Sequence, residues 1–144
     1  MLRNFLLVTL ISVGPAAKVF AAECFWRPGQ NKVGIVCGDA SEFSYMVISC
    51  EGEPLHLWID ENCGGERKCN SGLLIDGEKS GLGIAIYIDD GYAGVSIPLK
   101  DKMRVLSRLA RAKTLKALVG GKVSPELPTA GLSEGIRTIL STCH

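Results

Sequence analysis

The sequence lacks a charge excess of either sign. Its 16 Lys and Arg residues are balanced by 15 Asp and Glu residues, which gives a formal net charge of +1. Dedicated nucleic-acid-binding domains carry a clear basic excess, so this balance argues against that class. The same composition excludes collagen-like and strongly acidic disordered chains. The length of 144 residues suits a single domain.

Groups suited to catalysis are also scarce, because the chain has only two histidines, His56 and His144. A serine or cysteine nucleophile needs a placed histidine base, and only His56 lies in a predicted strand. Asp89 and Asp90 are neighbours in a predicted turn, whereas glycosidases need carboxylates that face each other across a bond. We predict no catalytic residue and no cofactor, and a small cell-wall hydrolase is the alternative.

No apolar run is long enough to span a membrane. The longest, residues 5–13, has nine residues, and a spanning helix needs about 20. A basic residue precedes this run, and the small residues Ala21 and Ala22 follow as a cleavage site. We therefore predict a signal peptide over residues 1–22, followed by one periplasmic or secreted domain over 23–144.

All six cysteines lie in that mature part: Cys24, Cys37, Cys50, Cys63, Cys69 and Cys143. An even number of cysteines in an exported chain indicates disulfides, here in one of fifteen pairings. Turn-rich sequence between Cys24 and Cys37 and a short loop between Cys63 and Cys69 favour those two pairs. That choice leaves Cys50 to bond Cys143.

Two other uses of the cysteines are weaker. No Cys-x-x-Cys is present to indicate a redox dithiol. Zinc could use Cys63, Cys69, His56 and His144, but the close cysteine pair that is typical of zinc sites is missing. We therefore predict three structural disulfides and no metal site.

Alternating apolar residues predict two antiparallel hairpins, and helical spacing predicts two helices near the C-terminus. The hairpins join 43–50 to 55–59 and 84–88 to 95–99, further strands cover 33–37, 73–76 and 115–119, and the helices cover 100–112 and 132–143. The predicted fold class is α+β, mainly β. We expect one disulfide-stapled, sandwich-like antiparallel sheet of six or seven strands with two helices.

Charge is unevenly distributed along the chain. Residues 39–90 hold 11 acidic and three basic side chains, and residues 100–116 hold seven basic and one acidic. The basic stripe of the first helix consists of Lys100, Arg104, Arg108 and Arg111. It could meet an anionic surface, or it could be a solvated face that contacts the acidic sheet of its own domain. An action of this helix on membranes would make the chain a secreted toxin-like protein.

A recognition surface is the second candidate. His56 and Trp58 lie on the polar side of a predicted strand, and Arg67 and Lys68 lie in or beside the Cys63–Cys69 loop. A rigid, disulfide-stapled sheet suits recognition, because preorganisation lowers the entropy cost of binding. We predict that these four residues contact a protein partner.

Several short motifs resemble a known group of proteins. They are Val-Ile-Ser-Cys50, Leu55-x-Leu57-x-Ile59, Ile97-Pro98-Leu99, a helix with Leu106 and Leu109, and Gly131-Leu132-x3-Ile136-x2-Ile139-Leu140-x2-Cys143. Over residues 45–143 this order is similar to small exported bacterial proteins of the invasion-associated locus B type. It is also similar to type VI secretion accessory proteins of the VasI/TagO type. The resemblance implies a β-rich protein that acts by binding in the periplasm or envelope, as an inhibitor, an immunity protein or a secretion or virulence accessory.

Overall fold

The computed structural model describes residues 23–50, 55–87, 93–97 and 99–142. The predicted signal peptide, the turn residues Asp89 and Asp90, and the terminal pair Cys143 and His144 lie outside this part. The strands are β1 (Cys24–Gly29), β2 (Lys32–Cys37), β3 (Ser44–Ser49), β4 (Leu55–Ile59), β5 (Lys68–Ile75), β6 (Glu78–Tyr87), β7 (Ala93–Ile97), β8 (Leu115–Val119) and β9 (Lys122–Val123). The helices are α1 (Leu99–Ala110) and α2 (Leu132–Thr142).

The nine strands form one sheet in the order β1-β2-β3-β4-β7-β6-β5-β8-β9. Every neighbouring pair is antiparallel. The mainly β fold with a single antiparallel sheet and two helices is therefore confirmed. The strand count exceeds the predicted six or seven, in part because β1 contains Pro28 and β9 has only two residues.

One face of the sheet, here called the inner face, holds the core. Leu55, Leu57 and Ile59 of β4 are fully buried on it, while His56 and Trp58 between them are half-buried on the opposite, outer face. Directly paired residues share a face, so the register extends this division to the neighbouring strands. Both helices pack on the inner side: Gly135 of α2 lies against Val33, and Val105 of α1 lies near Gly81 and Ile97.

The sheet is strongly curled, because one short connector, residues 124–130, contacts strands near both of its ends. Seven strand spacings separate β1 from β8, or about 34 Å in a flat sheet. The backbone N–H of Leu127 donates to the Leu115 carbonyl of β8 at 2.7 Å, and that of Trp26 in β1 donates to the Ala130 carbonyl at 2.8 Å. Leu127 and Ala130 are three residues apart, at most about 10 Å. The two ends of the sheet therefore approach each other. The predicted sandwich-like layers are formed by a single sheet that curls on itself.

Tight turns set the register of the hairpins. Asp76 and Gly77 join β5 to β6 with φ of 51° and 80°, as a type I′ turn requires. The Asp76 carboxylate accepts the backbone N–H groups of Lys113 and Thr114 at 2.8 and 2.9 Å. These two bonds, first that from Thr114, lower the pKa of Asp76. They also tie the β5–β6 turn to the start of β8.

Two of the predicted disulfides are confirmed, Cys24–Cys37 and Cys63–Cys69. Cys24 and Cys37 lie directly opposite each other in the β1–β2 ladder, so their bond closes the open end of that hairpin. Cys50 is also disulfide-bonded, and its predicted partner Cys143 lies outside the described residues.

Candidate binding face

A continuous row of residues crosses the outer face from β3 to β5. Val47 pairs with Trp58, Trp58 with Gly94, Gly94 with Ile86, and Ile86 with Lys68. Because paired residues share a face, Trp58 and Lys68 lie on the same side of the sheet with Ile86 between them. With His56 on the same face, the structure brings three of the four predicted contact residues onto one surface.

The indole of Trp58 lies flat against the sheet because its strand neighbour is a glycine. A Cβ at Gly94 would approach Trp58 Cζ3 to 2.8 Å, so a larger residue there would displace the ring. On the other side, Trp58 stacks on His56 with ring centroids 6.0 Å apart and planes at 25°. His56 Nδ1 shares a hydrogen bond of 3.1 Å with Ser96 Oγ. We call these stacked rings the Trp58–His56 platform.

The contact between Ser96 and His56 joins a hydroxyl to a base, which is also the first element of nucleophilic catalysis. Such a site further needs a group that orients the histidine and donors for the developing oxyanion. Among the described residues, no carboxylate contacts His56. The hydrogen bond with Ser96 gives the Trp58–His56 platform one polar edge.

Three large aliphatic side chains of β6 continue this surface into solvent. Leu82, Ile84 and Ile86 are 57%, 61% and 52% exposed, whereas Ala85 between the isoleucines is fully buried. Alternation in the sequence predicts the strand, but it does not show which side faces the core. The small Ala85, paired with Val95 on the inner face, is the signal that could have indicated this orientation.

A groove runs along the outer face between β6 and the β8–β9 hairpin. Its volume is about 690 Å³, and it is lined by Asn70, Ser71, Lys79, Leu82, Gly83, Ile84, Leu118, Gly121 and Val123. Leu118 and Val123 are paired across the hairpin and form one wall. Leu82 lies over Gly72, where a Cβ would be 2.8 Å from Leu82 Cδ2. The walls of the groove are therefore aliphatic.

The charged side chains at the described strand positions of the outer face are all basic. Basic residues occupy five outward-facing strand positions: Arg27, Lys32, Lys68, Lys79 and Lys116. The only carboxylate in a described strand is that of Glu78, which pairs with the inward-facing Ile75. The described part of the outer face thus combines apolar side chains with cations. A partner with apolar and acidic groups would complement it.

The remaining predicted contact residue and the zinc alternative can also be placed. Arg67 is exposed in the Cys63–Cys69 loop, one residue before β5. Cys63 and Cys69 bond to each other, so their sulfurs are not thiolate ligands for zinc. Among the described residues, no group of three or more His, Cys, Asp or Glu side chains could hold a metal ion.

The basic stripe of α1 is partly neutralised within the domain. Arg108 donates to Glu78 Oε2 at 2.9 Å and to the Ile75 carbonyl at 3.3 Å. Arg104 forms a salt bridge of 2.6 Å with Asp101. Arg108 thus contacts an acidic residue of the sheet, which agrees with the alternative interpretation of this stripe.

The other two residues of the stripe, Arg111 and Lys100, differ in their contacts. Arg111 bonds the hydroxyl of Ser107 at 3.1 Å and its carbonyl at 3.3 Å, and Lys100 is exposed. The stripe is therefore not one free cationic surface.

Comparisons with known proteins add no relative to this description. No family model, no curated protein and no solved structure matches the chain. Within the described residues, no helix has both the length and the apolar character needed to cross a membrane.

Proposed function

We propose that the chain is an exported, non-enzymatic binding protein that holds a protein partner against its outer face, in the periplasm or at the bacterial envelope. The observation that carries this proposal is the continuity of the Trp58–His56 platform with the exposed Ile86 and Ile84. Tryptophan is enriched among the residues that dominate binding energy. Contiguous exposed apolar surface is typical of interaction sites.

The rigidity of the face supports the same proposal. Trp58 is fixed by Gly94 and His56, and two described disulfides stabilise other parts of the same sheet. A surface that is ordered before binding loses less conformational entropy when the partner arrives.

Export is supported by the cysteine chemistry. Disulfides form and persist in oxidising compartments, and every described cysteine is disulfide-bonded. The resemblance to exported proteins of the invasion-associated locus B and VasI/TagO types agrees with this location. It favours a role as an inhibitor, an immunity protein or a secretion or virulence accessory.

The test uses the full chain, exported and purified in its oxidised form. It is crosslinked to a native envelope fraction, the bound protein is identified by mass spectrometry, and its dissociation constant is then measured with purified partner. Trp58→Ala and Ile86→Glu should each weaken binding roughly 30-fold, the size expected for a dominant contact residue.

Met103→Glu is the matched control, because Met103 is 60% exposed but lies on α1. It should leave the affinity unchanged. Equal affinity of wild type, Trp58→Ala and Ile86→Glu, with unchanged circular dichroism, would remove the outer face as the partner site.

A further inference from the structure

Two depressions meet at β6, the first on the outer face and the second beside α1. The first is the aliphatic groove of about 690 Å³. The second has a volume of about 280 Å³ and is lined by Lys79, Ser80, Gly81, Leu82, Ile97, Asp101, Arg104 and Arg108. Lys79 and Leu82 line both. The apolar and the cationic depression are therefore adjacent at these two residues.

The groove has the character of a site for an aliphatic chain. Its apolar walls are Leu82 and Ile84 on one side and Leu118 and Val123 on the other, and no aromatic side chain lines it. Its volume lies within the range of about 300–1,000 Å³ that is typical of small-molecule sites. Asn70 and Ser71 provide the few polar groups along its length.

The second depression has the character of a site for an anion. Three cationic side chains line it against the single carboxylate of Asp101. Arg104 is bonded to Asp101 and Arg108 to Glu78, yet each guanidinium has five N–H donors, more than these contacts use. Lys79 forms no salt bridge with any described residue, so its ammonium group has no competing carboxylate. Charge-assisted bonds from such groups to phosphate oxygens are strong.

We propose that the two depressions together bind one anionic amphiphile, a monomeric lipid with a single alkyl chain and a phosphate headgroup. The chain lies between Leu82 and Val123, and the phosphate lies at Lys79 beside Arg104 and Arg108. A monomer fits better than a bilayer because the aliphatic side chains form the walls of a concavity. Helices that lie on bilayers instead present a protruding apolar side, often with aromatic residues. This ligand is additional to the proposed protein partner, and Ile84 belongs to both sites.

The probe is n-dodecyl phosphate below its micelle concentration, added to the oxidised full chain and followed by calorimetry and by amide NMR shifts. We expect shifts centred on Ile84, Leu118 and Val123. Dodecyl maltoside has the same chain without charge, and butyl phosphate has the same headgroup with a short chain. Each should bind at least tenfold more weakly. Equal binding of dodecyl maltoside and dodecyl phosphate would overturn the proposal.

Variants separate this site from the protein-binding platform. Lys79→Glu and Val123→Glu should each weaken dodecyl phosphate binding at least tenfold. Lys68→Glu and Trp58→Ala, at the other end of the same face, should leave it unchanged. Loss of binding in Lys68→Glu but not in Lys79→Glu would assign the anion to another place and overturn the proposal.

A second experiment tests whether the protein binds phosphate headgroups and alkyl chains in a bilayer rather than in a single lipid molecule. Vesicles of dioleoyl phosphatidylglycerol are added to wild type and to Lys79→Glu. Binding to these vesicles without any binding of monomeric dodecyl phosphate would replace the groove by a membrane-surface interaction. Binding of the monomer that is lost in Lys79→Glu supports the groove.

Discussion

We expect an added methyl group to be especially destabilising at Gly131, the residue that joins the connector 124–130 to α2. Gly131 has a φ of 78°, and a Cβ on it would overlap the carbonyl oxygen of Trp26. Trp26 also bonds the connector twice, from its backbone N–H to Ala130 at 2.8 Å and from its indole N–H to Pro128 at 2.6 Å. Gly131→Ala should therefore push the connector away from β1.

The magnitude follows from a matched control, Gly121→Ala. Gly121 has a φ of 82°, and nothing lies within 4 Å of a Cβ built there. A left-handed residue other than glycine costs about 1–2 kcal/mol, and the reduced entropy of the unfolded chain offsets about 0.4–1 kcal/mol of this. Gly121→Ala should cost about 1 kcal/mol. Gly131→Ala should cost about 3 kcal/mol, because it also weakens two hydrogen bonds worth about 1 kcal/mol each.

The assay is urea unfolding followed by tryptophan fluorescence with the disulfides intact, together with thermal unfolding by circular dichroism. A loss of about 3 kcal/mol corresponds to a fall in Tm of roughly 10 °C for a domain of this size. If the free energies of unfolding of Gly131→Ala and Gly121→Ala differ by less than about 1 kcal/mol, the reasoning is refuted. The contact between Trp26 and Gly131 would then impose no constraint beyond the sign of φ.

Two further predictions concern stability. Because its pKa is lowered by N–H donors, the Asp76 carboxylate stabilises the fold above its ordinary pKa of 3.8, and this contribution is lost as the pH falls through the lower folded value. Asparagine tolerates the positive φ at this position. The free energy of unfolding of Asp76→Asn, measured by urea titration, should therefore fall less than that of wild type between about pH 5 and pH 2. An equal fall in both proteins would contradict this. Replacing Cys24 and Cys37 by alanine opens a loop with a sequence separation of 13 and should lower the free energy of unfolding by about 3 kcal/mol. An unchanged urea midpoint would show that the ladder alone holds this hairpin.

Local patterns in the sequence were sufficient for much of the fold. Alternation predicts β4 with its buried Leu57 and its half-buried Trp58, and the strand 115–119 has the predicted bounds. The Asp76-Gly77 turn between two apolar runs is a strong hairpin signal that would have extended the predicted strand 73–76 into the β5–β6 hairpin. These features depend on residues close together in the chain.

Contacts between distant residues could not be predicted in the same way. The order of the strands places β7 beside β4 and β8 beside β5, and no local pattern encodes either pairing. The curl of the sheet depends on Trp26 meeting a connector about 100 residues further along the chain. The groove arises only from that order, because it brings Leu82 of β6 near Val123 of β9.

The composition of β6 on its outer face is not explained by folding. Strand propensity favours the branched side chains of Ile84 and Ile86, but threonine would satisfy it equally, and Leu82 is not β-branched. With more than half of each side chain in water, burial within the domain recovers only part of the transfer free energy of about 25 cal/mol per Å². A ligand or partner that covers these three residues would recover the rest. The proposed protein partner and the proposed lipid would account for the aliphatic character of this strand.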